Sequence, residues 1–537
     1  MPTPTTPTTP TAAAPARLPA PPTTGRTDRR RRWAAAAVAA GLVVSAAACS
    51  SGSSSSSGGD RSAATTASGS GATSPPATSN KAKGVPVPTV SRPPAGQKGK
   101  PFNAMPAALA QEHGYVEDEL IVSGTATAYQ EAAPFGTDGK WSITPTTTAP
   151  YTTRVIVRRP ADPAKADGTA VVEWLNVSSG QDSDVDWAHA HDELMAHGTT
   201  WIGVSTQAQG VQGGSPTMAM PGVNATPLKV WDPERYAALD HPGDDYSYDI
   251  FSQVGAALRG PAGRELLGDV TIDKVIAAGE SQSAARMVTY LNAVQPVADV
   301  YDGFFVHSRS DGGSSLYAKA TTKPAFAHVR DDLGVPVLQL ETETDLFGLP
   351  FVAARQPDTD HLRTWEVAGT AHLDKSMLEY FGSAAGAPPG AASQPVVASC
   401  GTLNDGPQTP VVAAGFAALR RWIADGTPPP KGTPVETTDT AVVRDDLGLA
   451  KGGVRTPPVD APTEVLRGDS TGSGYVCMLF GSSTPIDPAT LAARYPTHQA
   501  YVDAVTRSAQ AAASAGFLRQ ADADAYVAQA QASSVGS

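Results

Sequence analysis

Cysteine, charge and aromatic side chains are all scarce in this chain of 537 residues, with 3 Cys, 17% charged and 6% aromatic residues. Three cysteines are too few for a disulfide-built scaffold, and none forms the C-x-x-C pair of a zinc site. Positive charge is short as well: 40 Lys and Arg against 52 Asp and Glu leave a net charge of −12. A nucleic-acid binder needs a basic face to neutralise phosphates, so that class is excluded. The apolar run from Ala34 to Ala48 is too short and too rich in alanine for a membrane span, which needs about 20 residues. What is present is 41% hydrophobic residues, enough for a large core, cut by 51 Gly and 47 Pro. The length admits several domains or one elaborated α/β domain.

The first hundred residues carry little fold information. A Thr/Pro/Ala tract over 1–25 precedes Arg26 and the block Arg29 to Arg32, and the apolar run from Ala34 follows. A basic segment, a short apolar segment and a small-residue cleavage site predict an export signal over residues 1–48. It ends in Ser45-Ala46-Ala47-Ala48-Cys49, ahead of an almost pure Ser/Gly tract. This resembles the lipobox of bacterial lipoproteins, with Ala46 where leucine is usual, and it implies that the Cys49 thiol carries a lipid. The alternative is a secreted protein cut near Ala48, and twin-arginine and general export both fit Arg31-Arg32. Residues 49–94 read as a disordered Ser/Gly/Thr/Pro tether. The body is then 95–537, with a C-terminal elaboration from about 390, at the cell surface and touching the membrane through the anchor alone.

Within the body, strand-like and helix-like segments alternate. Strands are predicted at Thr153 to Val157, Ala170 to Leu175, Thr200 to Ser205, Lys274 to Ala278, Gly303 to Val306, Val335 to Leu340 and Thr364 to Val367. Helices are predicted at Trp187 to His197, Tyr246 to Leu258 and Ala284 to Val294. Continuous apolar strands separated by helices imply an α/β fold, a mostly parallel sheet covered on both faces. Ligands of such sheets bind at the carboxyl ends of the strands, so the residues just after each strand carry the interest.

Three strand ends hold reactive groups. Lys274 to Ala278 runs into Gly279-Glu280-Ser281-Gln282-Ser283 and then into a helix, the context of a nucleophile elbow with Ser281 at its apex. Ser283 stands where glycine is usual. A serine nucleophile needs a base, and the base needs an acid to orient it. The strand ending at Leu340 leads to Glu341-Thr342-Glu343-Thr344-Asp345, and the strand ending at Val367 leads to Gly369-Thr370-Ala371-His372. His372 is the predicted base; Asp345 is the preferred acid, with Glu343 its competitor and Glu341 structural. His307 precedes the acid in the chain and reads as a pocket or core histidine bonded to backbone. The oxyanion would be held by the N–H of Gln282 and that of Asn176 or Val177, after the strand ending in Trp174-Leu175.

Together with Gly114-Tyr115-Val116-Glu117-Asp118-Glu119-Leu120, Val172-Glu173-Trp174-Leu175-Asn176-Val177-Ser178, Asp232-Pro233-Glu234-Arg235-Tyr236 and Cys477-Met478-Leu479-Phe480-Gly481, these segments resemble a bacterial branch of α/β-hydrolase-domain proteins over roughly residues 95 to 535. The resemblance implies the α/β-hydrolase fold and a serine-hydrolase mechanism, with Ser281, Asp345 and His372 on the triad positions. It also aligns Cys400 and Cys477 with the family's cysteines, which in an exported protein implies a disulfide; two buried thiols are the alternative. His241 to Asp249 holds a histidine and three aspartates, better read as helix caps and a hydrogen-bond network than as a metal site. Gln207 to Leu228 reads as a lid, a pocket wall or a plain surface loop.

The expectation is therefore an exported serine hydrolase acting on a small-molecule carboxylic ester through an acyl-enzyme, without metal or cofactor. A peptidase or amidase with the same triad, or a surface binding protein with an idle site, are the alternatives.

Overall fold

Runs such as Lys274–Glu280, apolar at nearly every position, must be buried on both sides. The computed structural model, which describes residues 81–317, 323–470 and 472–537, sets that run in the middle of one sheet. The expected export signal, Cys49 and most of the tether lie outside the described residues. The strands of the sheet are β1 (Thr89–Ser91), β2 (Tyr115–Glu131), β3 (Ile143–Pro160), β4 (Thr169–Trp174), β5 (Thr200–Val204), β6 (Lys274–Glu280), β7 (Gly303–His307), β8 (Val337–Thr342) and β9 (Leu362–Val367). Their spatial order is β1-β2-β3-β5-β4-β6-β7-β8-β9. From β5 to β9 every pairing is parallel, whereas β1, β2 and β3 are joined antiparallel at one edge. This is the expected α/β-hydrolase fold.

Side chains alternate between two cores because a strand has a period of two. Val275 and Ala277 of β6 join Trp174 and Phe251 on one face, under the helices Ser247–Ala257 and Gln282–Thr289. Ile276 and Ala278 join Trp187, Trp365 and Phe416 on the other, under the helices Val185–Ala196 and Gln408–Asp425. The last of these lies within the supposed C-terminal elaboration, yet it closes the second core. Among the described residues no helix is long and apolar enough to cross a membrane.

Two sequence expectations need correction. The boundary at residue 95 falls too late. Thr89–Ser91 pairs with Ile121 to Ser123 of β2, and Lys81 is ion-paired with Asp299 at 2.7 Å. The reason is that the edge of β2 offers unpaired backbone groups, which a short Thr-Val-Ser segment satisfies. The second correction concerns β2, which was not anticipated, and Thr153 to Val157, which is the interior of an 18-residue strand paired along β2. The acidic string Glu117-Asp118-Glu119 disguised β2. Tertiary partners neutralise it, with Arg158 Nε 2.9 Å from Glu117 and Arg235 Nε 2.5 Å from Glu119.

Cys400 and Cys477 are joined in a disulfide, Cα to Cα 5.1 Å, tying the helix Gln394–Cys400 to the helix Tyr475–Leu479 across 77 residues of chain. A cross-link over a loop of that length removes unfolded-state entropy worth about 2–4 kcal/mol. Cys400→Ala/Cys477→Ala should lower the unfolding free energy by about that amount. Denaturant unfolding of oxidised wild type and the double variant checks it, and coincident curves would contradict it.

Candidate active site

At the end of β6 the chain reverses within a single residue. Ser281 has φ 58° and ψ −116°, a conformation a non-glycine residue adopts only when its surroundings enforce it. Its N–H donates to the carbonyl of His307 on β7 at 2.9 Å, and its carbonyl accepts from Ala285 N–H at 3.1 Å. Gly279 suits this turn because a Cβ at that position would stand 3.0 Å from backbone atoms of Ser283, so the helix would have to give way. Ser283 in place of the usual glycine sits in ordinary helical backbone, and the departure leaves its buried Oγ without a partner.

The acid is fixed by a helix cap. Asp345 lies in the first turn of the helix Glu343–Gly348, where its Oδ2 accepts from the N–H and the Oγ1 of Thr342 at 2.6 and 2.8 Å. The Oδ1 is left for His372 Nδ1, 2.7 Å away. An ionised carboxylate only accepts, so Nδ1 carries the ring proton and Nε2 faces Ser281 Oγ, at 2.8 Å, as an acceptor. Ser281, His372 and Asp345, drawn from the ends of three strands, thus form one hydrogen-bonded line.

Glu343 does not reach the histidine. Its Oε1 accepts from Gly369 N–H at 2.6 Å and its Oε2 from Arg444 Nη1 at 3.0 Å, so it supports the turn leading to His372. Glu341 is wholly buried with both carboxylate oxygens unpartnered, and burial raises its pKa well above the ordinary value. The side chain of His307 bonds Asp186 Oδ1 at 2.9 Å and Gln408 Nε2 at 3.1 Å rather than backbone, and burial depresses its pKa to about 3.

Of the expected oxyanion donors, Asn176 already has an acceptor for its N–H. Its N–H is committed to the Ser183 carbonyl at 2.9 Å, and its side-chain amide donates to the carbonyl and the Oε2 of Glu280, both at 3.1 Å. The N–H groups of Val177 and Gln282 have no acceptor among the described residues, and Gln282 opens the helix that follows Ser281. The loop bearing Val177 is held from beneath by two buried arginines of β3. Arg154 pairs with Asp182 at 2.8 Å and Arg158 with Asp184 at 2.5 Å.

Sequence reasoning gave no role to Glu280, although its position directly before the serine at a strand end was a visible signal. It is buried, and its Oε1 lies 3.3 Å from His372 Nε2 without a hydrogen-bond partner. Burial raises its pKa to about 8; the neighbouring His372 opposes that rise, and Asp186 and Asp345 add to it. Burial disfavours the His372 imidazolium, but Asp345 and then Glu280 outweigh it, and the net shift is upward.

Ser281 and His372 open onto a cavity of about 630 Å³. The segment Gln207 to Leu228 begins with the short helix Ala208–Gln212 and then supplies one cavity wall through Met218, Met220 and Val223. The His241 to Asp249 cluster is a hydrogen-bond network. His241 Nε2 donates to the Thr206 carbonyl, and Asp249 accepts from Thr127 N–H and Gln253 Nε2. Asp244 caps no helix of its own; it accepts from Ala208 N–H, at the start of a different helix.

A family model described as an alpha/beta hydrolase domain matches residues 86–528. No functionally curated protein matches the chain. Among solved structures it is similar to an esterase named Est22, at 12% identity over 58% of this chain and 83% of that one, with a TM-score of 0.28. It is also similar to a fungal esterase from Rhizomucor miehei, at 11% identity over 61% and 94% of the two chains, with a TM-score of 0.27.

The contact between Glu280 and His372 has a measurable consequence. Glu280 favours the neighbouring imidazolium when it ionises, and glutamine cannot ionise, so Glu280→Gln should lower the His372 pKa relative to wild type. Titration of the His372 ring by NMR checks this, and an unchanged or raised pKa would contradict it.

Proposed function

Because the chain belongs to the alpha/beta hydrolase domain family, we propose that it is a serine hydrolase that cleaves carboxylic esters through Ser281, His372 and Asp345. The observation that carries this reading is the unbroken line from Ser281 Oγ to His372 Nε2 at 2.8 Å and from His372 Nδ1 to Asp345 Oδ1 at 2.7 Å. Ser281 Oγ attacks the ester carbonyl while His372 Nε2 takes its proton. The oxyanion that forms accepts hydrogen bonds from the N–H groups of Gln282 and Val177. Asp345 holds the ring in the tautomer that accepts this proton and stabilises the imidazolium. Collapse of the tetrahedral adduct breaks the bond to the alkoxy oxygen, to which His372 returns the proton, and an alcohol leaves. Water then attacks the acyl-enzyme with His372 again as base, releasing the acid and restoring Ser281.

Export and lipid attachment at Cys49 belong to the same proposal. The Cys400–Cys477 disulfide supports an oxidising destination. Cys49→Ser should move the protein from the membrane fraction to the soluble exported fraction; retention in the membrane would argue against the anchor.

The catalytic assignment is tested by labelling with a fluorophosphonate, which needs no knowledge of the substrate. Folded wild type should label at Ser281, and Ser281→Ala and heat-unfolded protein should not. Asp345→Asn should reduce turnover by about 10⁴-fold by stabilising the wrong histidine tautomer. Glu343→Gln should act mainly on stability, by about 1–3 kcal/mol, since it loosens the Gly369 turn. Unchanged hydrolysis in Ser281→Ala, or the reverse ranking of the two acids, would overturn the assignment.

A further inference from the structure

The cavity above Ser281 is unevenly built. Leu373, Met377, Leu378 and Leu479 line it on the side that rests on the cluster sealed by the Cys400–Cys477 disulfide. Met218 and Met220 face the cavity from the 213–227 loop and pack against that same cluster. Methionine is unbranched and polarizable, so a wall rich in it accepts a flexible chain rather than one rigid shape. The ionisable groups of the lining besides the exposed Lys100 are Glu280 and His372, both beside the serine, and Tyr475 at the mouth. The other polar lining groups, such as Ser178, Gln181 and Asn224, are uncharged. A substrate carrying its own charge into this space would lose water without gaining a buried partner.

The mouth carries a second, independent signal. Few large hydrophobic side chains are exposed among the described residues, and two of them, Val223 at 42% and Tyr475 at 54%, line this cavity. They continue the apolar wall out to solvent, where a bound chain longer than the cavity would cover them.

We propose that the substrate is an uncharged amphiphile, an ester whose hydrocarbon arm lies along the Leu373–Met377–Leu378 wall and emerges between Val223 and Tyr475. This rests on the esterase reading and names its substrate class. The uncharged hydrogen-bonding groups of the lining receive the polar part, and the scissile carbonyl sits at Ser281. Small acetyl esters fill too little of the apolar wall, and esters of charged acids leave their charge unpaired.

The test compares kcat/KM for p-nitrophenyl acetate, butyrate, octanoate and hemisuccinate, which share a leaving group. Octanoate should exceed acetate by at least about tenfold, because each buried methylene contributes. Hemisuccinate should fall at least about tenfold below butyrate, because its carboxylate is desolvated. Leu378→Trp, which narrows the apolar wall, should cut the octanoate-to-acetate ratio about tenfold. Met220→Trp, on a half-buried loop where folding is little at risk, should move the ratio the same way. A flat chain-length series, a hemisuccinate rate equal to that of butyrate, or an unchanged ratio in both variants would overturn the proposal. Inert esters with Ser281 still labelled by fluorophosphonate would overturn it while leaving the activated serine standing. Inert esters with no labelling would overturn the hydrolase reading and this proposal together.

Discussion

A serine at positive φ between a buried strand and a helix is the constraint on which the rest of this molecule depends. The conformation of Ser281 is unfavourable for any residue with a Cβ, so neighbouring structure must impose it. β6 runs between β4 and β7, and the His307 carbonyl at the end of β7 takes the Ser281 N–H. Gly279 lets the helix backbone come down onto the strand. Parallel strands end on the same side of a sheet, so the loops after β4, β8 and β9 open beside Ser281 without special arrangement. Val177, Asp345 and His372 each come from one of those loops.

Holding those loops falls to polar groups far from them in the chain. Arg154 and Arg158 are buried and reach from β3 to Asp182 and Asp184 in the β4 loop. Such pairs add little net stability once desolvation is counted, but removing one partner strands a buried charge. They therefore act as geometric restraints on the loop that bears Val177. The same logic operates at the histidine turn, where Arg444 and the Gly468 N–H hold Glu343, and Glu343 holds Gly369. The segment after residue 390 thus belongs to the site as well as to the core.

The electrostatics of the site follow from burial. Asp345, Glu280 and Asp186 are all withdrawn from water near His372. Asp345 is satisfied by Thr342, and Asp186 shares His307. Glu280 alone has a carboxylate oxygen free toward the ring nitrogen that faces the serine. A neutral carboxyl there leaves the ring nitrogen free to accept a proton; an ionised one favours the imidazolium. The Asn176 amide, which binds the other oxygen of Glu280, couples this balance to the β4 loop.

Much of this was legible in the chain. Parallel strands are buried on both faces and so read as short apolar runs, and β4 to β9 were placed to within a few residues. The serine, acid and histidine stood at the ends of three such runs, in an order that chain position alone reveals. The sequence by itself singled out Ser281, Asp345 and His372 as candidates, because a residue type at a strand end is legible from local pattern and spacing. It could not decide between Asp345 and Glu343, or between Asn176 and Val177. The two carboxylates are chemically alike and two residues apart, the other pair offers equivalent backbone N–H groups, and only hydrogen bonds to groups up to 125 residues away distinguish them. Nor could it show β2, whose acidic string is neutralised by arginines distant in sequence, or the closeness of Glu280 to His372. Those features arise from pairing across the fold, and one-dimensional spacing carries no record of it.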